Sequence, residues 1–253
     1  MNITIVLPAY NEADDLPPLL ERMGEALAAE PAWRVLVVDD GSTDATADRV
    51  LAAAARLPVE LIRHPRNRGL GAAIRTGLRS AARADGAVVT LDADNTHDPA
   101  LIPGMVHRLE QGFDVVIASR YQPGGAEIGV SAFRKLLSHT ASGALRAVVR
   151  YPGVRDYTCG YRAYRAETLR TLIGAFGDGF VRENGFACML EILLNLRRID
   201  ARVTEVPLPL RYDLKSGPTK IRIARTVWRY GVTLTRGLLP LTVQDARPGA
   251  RPL

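Results

Sequence analysis

The sequence is poor in the residues that build several common sites. Its two cysteines, Cys159 and Cys188, fall in no Cys-x-x-Cys pair. They cannot form a metal site by themselves, and a reduced, cytoplasmic setting is the simplest expectation. Its four histidines, His64, His97, His107 and His139, show no ligand spacing, and no Ser-His-Asp arrangement is supported by their order. No Gly-x-x-x-x-Gly-Lys-Ser/Thr loop occurs, which argues against a phosphate-loop ATPase. Gly69-Leu70-Gly71 runs on into Ala72-Ala73-Ile74 without the third glycine of a dinucleotide fingerprint, and it follows the third strand rather than the first. A dehydrogenase is therefore disfavoured.

Long apolar runs are also missing. The chain opens on Ile3-Thr4-Ile5-Val6-Leu7 with no basic segment before a long apolar stretch, so no secretory signal is expected. Residues 226–243 come nearest to a membrane span, but Arg229 and Arg236 interrupt them and Pro240 lies near their end. A spanning helix needs about 20 predominantly apolar residues, so none is predicted. Internal repeats and low-complexity linkers are absent too.

What is present suits one α/β domain. The 253 residues are 47% hydrophobic and 24% charged, enough for a sizeable core. A net charge of +6 would attract a phosphate-rich ligand or an anionic membrane surface, although many soluble proteins are mildly basic. Strands are expected at 3–7, 34–38, 59–63, 87–91 and 114–118, with helices at 14–30, 43–56, 71–83 and 99–111 between them. This alternation predicts a largely parallel sheet flanked by helices on both faces. Further on, an amphipathic helix is expected at 131–150, with Phe133, Leu136, Leu137, Ala141, Leu145 and Val148 on one face. Arg134, Ser138, Ser142, Arg146 and Arg150 recur along another face. A helix at 185–197 and a strand at 201–207 complete the core. Residues 1–244 read as a single catalytic domain with C-terminal amphipathic helices, and 245–253 as a flexible tail.

Ligands of parallel sheets bind beyond the carboxyl ends of the strands. Three polar clusters follow strands directly: Pro8-Ala9-Tyr10-Asn11-Glu12, Asp39-Asp40-Gly41-Ser42 and Asp92-Ala93-Asp94. In extended backbone Asp92 and Asp94 emerge on the same side. Two such carboxylates repel unless a cation lies between them, and a hard divalent ion with oxygen ligands answers that need. An acidic turn before a helix capped by Asp98 is the alternative. Asp39 and Asp40 suit ribose hydroxyls or a base N–H, while Ser42 or Thr43 suits a helix start.

Taken together, these clusters and Ser119-Arg120-Tyr121 stand in the order found in family-2 glycosyltransferases with the GT-A fold. The stretch Asp156-Tyr157-Thr158-Cys159-Gly160-Tyr161-Arg162-Ala163-Tyr164 resembles the signature of their polyprenyl-phosphate (dolichol-phosphate) mannose synthase branch. The resemblance covers residues 2–225. It implies a GT-A-type nucleotide-binding sheet and an inverting transfer of a hexose, foremost mannose from GDP-mannose, to a polyprenyl phosphate. It implies that Pro8, Tyr10, Glu12, Asp39 and Asp40 hold the nucleoside, and that Asp92 and Asp94 hold Mg2+ or Mn2+ and the diphosphate. By the same resemblance Arg120, Arg134 and Lys135, with Ser138, handle the acceptor phosphate. Gly217, Thr219 and Lys220 resemble a late element that closes over the donor. The implied partners are a nucleotide-sugar, a lipid phosphate and the cytoplasmic face of a membrane, bound peripherally or through a membrane partner, with no nucleic acid.

Departures from the branch are visible. Thr96 stands where a glutamine often completes the metal shell, Met189 replaces a polar residue, and Lys215-Ser216 alters the spacing before the late element. Three rival expectations stay open. One is transfer of glucose from UDP-glucose to the same polyprenyl phosphate. Another is the same donor chemistry on a soluble alcohol, with Asp156, Glu183 or Glu191 as base. The third is a non-catalytic nucleotide-sugar- or lipid-binding module.

Overall fold

The computed structural model describes residues 1–215 and 223–238, apart from the side chains at 133, 134, 136, 137, 223–225 and 238. Its first half alternates strand and helix: β1 (Ile3–Ala9), α1 (Leu16–Ala26), β2 (Trp33–Asp39), α2 (Thr46–Ala54), β3 (Val59–Arg63), α3 (Leu70–Ala81), β4 (Ala87–Thr90), α4 (Ile102–Glu110) and β5 (Val115–Ser119). The second half adds β6 (Ala126–Ile128), α5 (Ala132–Val149), β7 (Arg162–Arg165), α6 (Ala166–Phe176), α7 (Cys188–Arg198), β8 (Val203–Pro207), β9 (Pro209–Arg211) and α8 (Ile223–Leu238). Seven strands form one sheet in the order β3-β2-β1-β4-β7-β5-β8, and β6 pairs with β9 in a small second sheet. All pairings in the large sheet are parallel except those of β7, which runs against β4 and β5.

The β-branched residues of β1, β2, β4 and β5 are buried on both faces, as expected of strands covered by helices above and below. Register brings the site together. Ala9 pairs with Asp39 and Val6 with Thr90, so the segments leaving β1, β2 and β4 lie side by side at one sheet edge. The largely parallel, helix-flanked sheet predicted from the alternation is therefore present.

Several expectations change. Helix α1 begins two residues later than expected, because Pro17 and Pro18 occupy its first turn, where a missing N–H costs nothing. Residues 43–45 are not helical: Ser42 Oγ accepts the Asn11 N–H and Thr46 Oγ1 the Glu12 N–H. Ser42, one of the two residues expected to start α2, instead braces the loop after β1, and Thr46 does the same. Asp98 does cap, accepting the Ala100 N–H at the 3-10 turn before α4. Strand β7 and helix α6 are absent from the pattern-based prediction. Among the described side chains of α5 the buried ones are Ser142, Leu145 and Val149, while Val148 is 49% exposed; those of Phe133, Leu136 and Leu137 lie outside the described residues. Ser142 leaves the expected basic face because its hydroxyl donates to the Arg155 carbonyl. Among the described residues no helix is long and apolar enough to cross a membrane. The 245–253 tail and the late element, with Gly217, Thr219 and Lys220, lie outside the described residues.

Candidate active site

The three strand-end clusters line one cavity of about 740 Å³. Pro8, Tyr10, Glu12 and Asp40 form one end of it, and Asp92 and Asp94 line its floor. Asp40 reaches it with both oxygens already engaged. His64 Nδ1 lies 2.6 Å from its Oδ1, and the backbone N–H groups of Arg68 and Gly69 donate to the same carboxylate. Asp40 thereby pins the 64–69 turn to the end of β2. Asp39 stands behind this wall and does not line the cavity. Its Oδ1 accepts the Ser42 N–H at 2.8 Å, and Arg63 Nε lies 3.1 Å from its Oδ2.

Gly69-Leu70-Gly71, too short for a dinucleotide fingerprint, has a different task. The Gly71 N–H donates to the Asn184 carbonyl at 2.9 Å. A Cβ on Gly71 would lie 1.7 Å from the Glu183 carbonyl oxygen, so only glycine lets the 183–187 loop close that side of the cavity.

Asp94 is held from two directions. Thr96 Oγ1 donates to its Oδ1 at 2.6 Å, and Lys215 Nζ lies 2.6 Å from its Oδ2. Burial alone would raise the Asp94 pKa, but Lys215 and Thr96 outweigh it and keep the group below the ordinary carboxylate value. Asp92 differs. Burial pushes its pKa up, neighbouring Asp94 adds to the rise, and among the described residues no hydrogen bond is made to its carboxylate. Its backbone N–H donates to His97 Nδ1 at 3.1 Å, so His97 supports the acidic turn through the main chain. Two adjacent carboxylates, one without a hydrogen-bonding partner, fit the donor set of a hard divalent cation. Thr96, expected as a third ligand, stands beside the pair and donates its hydroxyl hydrogen to Asp94, which leaves the oxygen lone pairs for a cation. Among the described residues no group of three or more His, Cys, Asp and Glu side chains is placed to hold a metal.

Asp92 also lines a second cavity, of about 210 Å³, between α5 and α8. Its wall mixes polar side chains with the apolar Val130, Ala141, Phe186, Leu210 and Val227, and its charged groups are Asp92, Arg120 and Glu127. Arg120 follows β5 and is 13% exposed. Its guanidinium grips Asp156 with two bonds of 2.8 Å, reaches Thr158 Oγ1 at 2.7 Å and lies 3.3 Å from Glu127. Ser138 Oγ shares a hydrogen bond of 2.7 Å with Tyr121 OH. Lys135 lines an adjoining recess with Arg120 and Glu127. The Arg134 side chain lies outside the described residues.

All three carboxylates weighed as a general base are engaged. Asp156 is fully buried on Arg120, whose charge overrides burial and holds its pKa below the ordinary value. Glu191 Oε2 accepts the Arg182 and Glu183 N–H groups at 2.8 Å. Glu183 is ion-paired with Arg229, and Arg236 approaches it at 4.0 Å. The pattern-based prediction missed Lys215, Arg182 and Arg229 in the cavity wall. The signal for Arg229 was present: Arg229 and Arg236, seven residues apart, share one helix face. For Lys215 there was none, since its partner lies far away in sequence.

A model for glycosyl transferase family 2 matches residues 4–173. An undecaprenyl-phosphate mannosyltransferase of Micrococcus luteus is 34% identical, over 82% of this chain and 83% of that protein. A polyprenol monophosphomannose synthase of Mycolicibacterium smegmatis is also 34% identical, over 81% of this chain and 75% of its own length. A dolichol-phosphate mannosyltransferase of Pyrococcus furiosus is 29% identical over 91% of this chain, which spans 62% of that longer protein. Among solved structures, glucosyl-3-phosphoglycerate synthase from Mycobacterium tuberculosis with Mn2+ and UDP-glucose superposes with a TM-score of 0.69 at 21% identity, covering 99% of this chain and 86% of that one.

Proposed function

Because this chain belongs to glycosyl transferase family 2, we propose that it moves mannose from GDP-mannose to a polyprenyl phosphate, with inversion, at the cytoplasmic face of a membrane. The observation that carries the acceptor is the second cavity. It meets the donor cavity at Asp92, presents Arg120 beside Glu127, and runs on between α5 and α8 along Val130, Ala141, Phe186, Leu210, Val227 and Tyr230. A phosphate on an isoprenoid chain matches that sequence of surfaces. The engaged state of Asp156, Glu183 and Glu191 supports the same reading. An alcohol acceptor must lose a proton to a base, whereas a phosphate monoester oxygen is already anionic near neutral pH.

In this scheme Pro8, Tyr10, Glu12 and the turn pinned by Asp40 seat the nucleoside. Asp92 and Asp94 would hold Mg2+ or Mn2+, which neutralises charge on the departing diphosphate. Mn2+ in the structurally similar glucosyl-3-phosphoglycerate synthase supports a divalent ion here. Arg120, with Arg134, Lys135 and Ser138, would orient the acceptor phosphate, and Lys220 would supply positive charge to the departing diphosphate. One phosphate oxygen then attacks the anomeric carbon as the bond to the nucleoside diphosphate breaks, giving a β-linked product from an α-linked donor. Trp228 and Val227 on α8, 70% and 50% exposed, together with the positive net charge, support peripheral contact with an anionic bilayer.

The test pairs GDP-mannose and UDP-glucose in turn with Mn2+ or Mg2+ and a polyprenyl phosphate, and looks for the glycolipid. Mannolipid formed only with the metal present is the expected result. Glycosylation of a soluble phosphorylated acceptor, with no glycolipid from either donor, would overturn the assignment.

A further inference from the structure

Lys215 occupies an unusual place for a cation. Its ammonium lies 2.6 Å from Asp94 Oδ2, and the two side chains are only 11% and 14% exposed. Glu12 and Asp92 line the same cavity, and their charges favour the ammonium as well. The other Asp94 oxygen is taken by Thr96. A divalent ion that approaches Asp94 therefore meets a resident positive charge at the oxygen it needs, and two cations cannot share that contact without strong repulsion.

The surroundings give the ammonium somewhere else to go. Lys215 lines the donor cavity beside Asp92 and Asp94. It follows a 3-10 turn at Tyr212–Leu214 in extended backbone, with a flexible four-carbon stem. A diphosphate bound over the acidic pair would lie within the space that the stem sweeps.

We propose that Lys215 is a placeholder cation: it neutralises Asp94 in the donor-free protein, yields that carboxylate to the divalent ion, and carries its ammonium to the arriving diphosphate. This rests on the donor site proposed above and adds a thermodynamic property to it. Metal alone binds weakly, because it must expel Lys215. Metal with a nucleoside diphosphate binds tightly, because the expelled ammonium gains a new anionic partner. The two ligands are then coupled through one side chain, and the coupling is reciprocal.

Free Mn2+ can be titrated by its electron paramagnetic resonance signal against the full chain, alone and with GDP or UDP. We expect Lys215→Met to bind Mn2+ alone about tenfold tighter than wild type, and to lose about tenfold of the enhancement given by the nucleotide. Lys215→Arg, which keeps the charge, should retain weak binding of the ion alone. Lys215→Gln provides the same comparison if the methionine variant melts below the assay temperature. Unchanged affinity of Lys215→Met for Mn2+ alone would overturn the proposal, and so would nucleotide coupling that survives the substitution. No Mn2+ binding by wild type in any state would also overturn it. Glycolipid formation, measured separately, decides the transferase reading in each case.

Discussion

Arg120 illustrates how one residue acquires a role beyond its charge. The family resemblance implied an acceptor-phosphate role for it, yet its guanidinium is held by Asp156 and Thr158 with Glu127 close by. Its direction is thus fixed before any acceptor arrives. Removing one partner of such a buried pair costs about 3–5 kcal/mol, because the other charge is left uncompensated. Asp156→Asn is expected to destabilise the protein by about 3 kcal/mol at neutral pH. The pH dependence follows from the lowered Asp156 pKa. Stability from a depressed carboxylate is present above its unfolded value, 3.8 here, and fades as pH falls through the lower folded value. Urea melts between pH 7 and 3 should therefore show wild type and variant converging only below about pH 4. The acidic pair was legible because its strand and spacing are local. Lys215 and the sequestered state of Asp40 were not, because each depends on groups brought together by tertiary contacts.

At the level of elements, α8 carries the most consequence. It lines both cavities through Thr226 and is fastened to the 183–187 loop by Arg229 on the buried Glu183. Arg229→Ala leaves Glu183 without its nearest cation. The expected loss is about 1–2 kcal/mol of α8 docking, less than for a fully buried pair because Arg229 is partly exposed. Hydrogen exchange in α8 should quicken, and KM should rise for donor and acceptor together. Adding Glu183→Gln should recover part of both effects, whereas a further loss would show that the pair does not act as the fastening. Elements were legible where period and composition agreed, as in β1 to β5. Strand β7 was hidden because Arg162-Ala163-Tyr164-Arg165 breaks the apolar pattern of a central strand. Its buried Arg162 is tolerated by donating to the carbonyls of Tyr157, Cys159 and Met189. Helix α6, by contrast, was readable from Leu169, Leu172, Ile173 and Phe176 at helical spacing.

For the molecule as a whole, the proposed membrane contact is the property most open to measurement. Trp228→Ser should weaken co-sedimentation with anionic phosphatidylglycerol vesicles several-fold, with little change in thermal stability, because the ring is largely exposed. Binding should also fall as salt rises. Equal sedimentation of wild type and variant would remove Trp228 from the contact. The antiparallel strand β7 sets a different constraint, on timing. It is the piece that joins β4 to β5, yet it is made only after β5 and all of α5. At ribosomal speeds of about 5–20 residues per second, β5 waits roughly 2–8 s for its neighbour to emerge. During that interval the nascent sheet ends at β4 with an open hydrogen-bonding edge, and β5 is an unpaired Val-Ile segment. The order of synthesis therefore leaves the β4 edge open until β7 emerges, and makes closure of the β4-β7-β5 seam the step most exposed to chaperones and to aggregation.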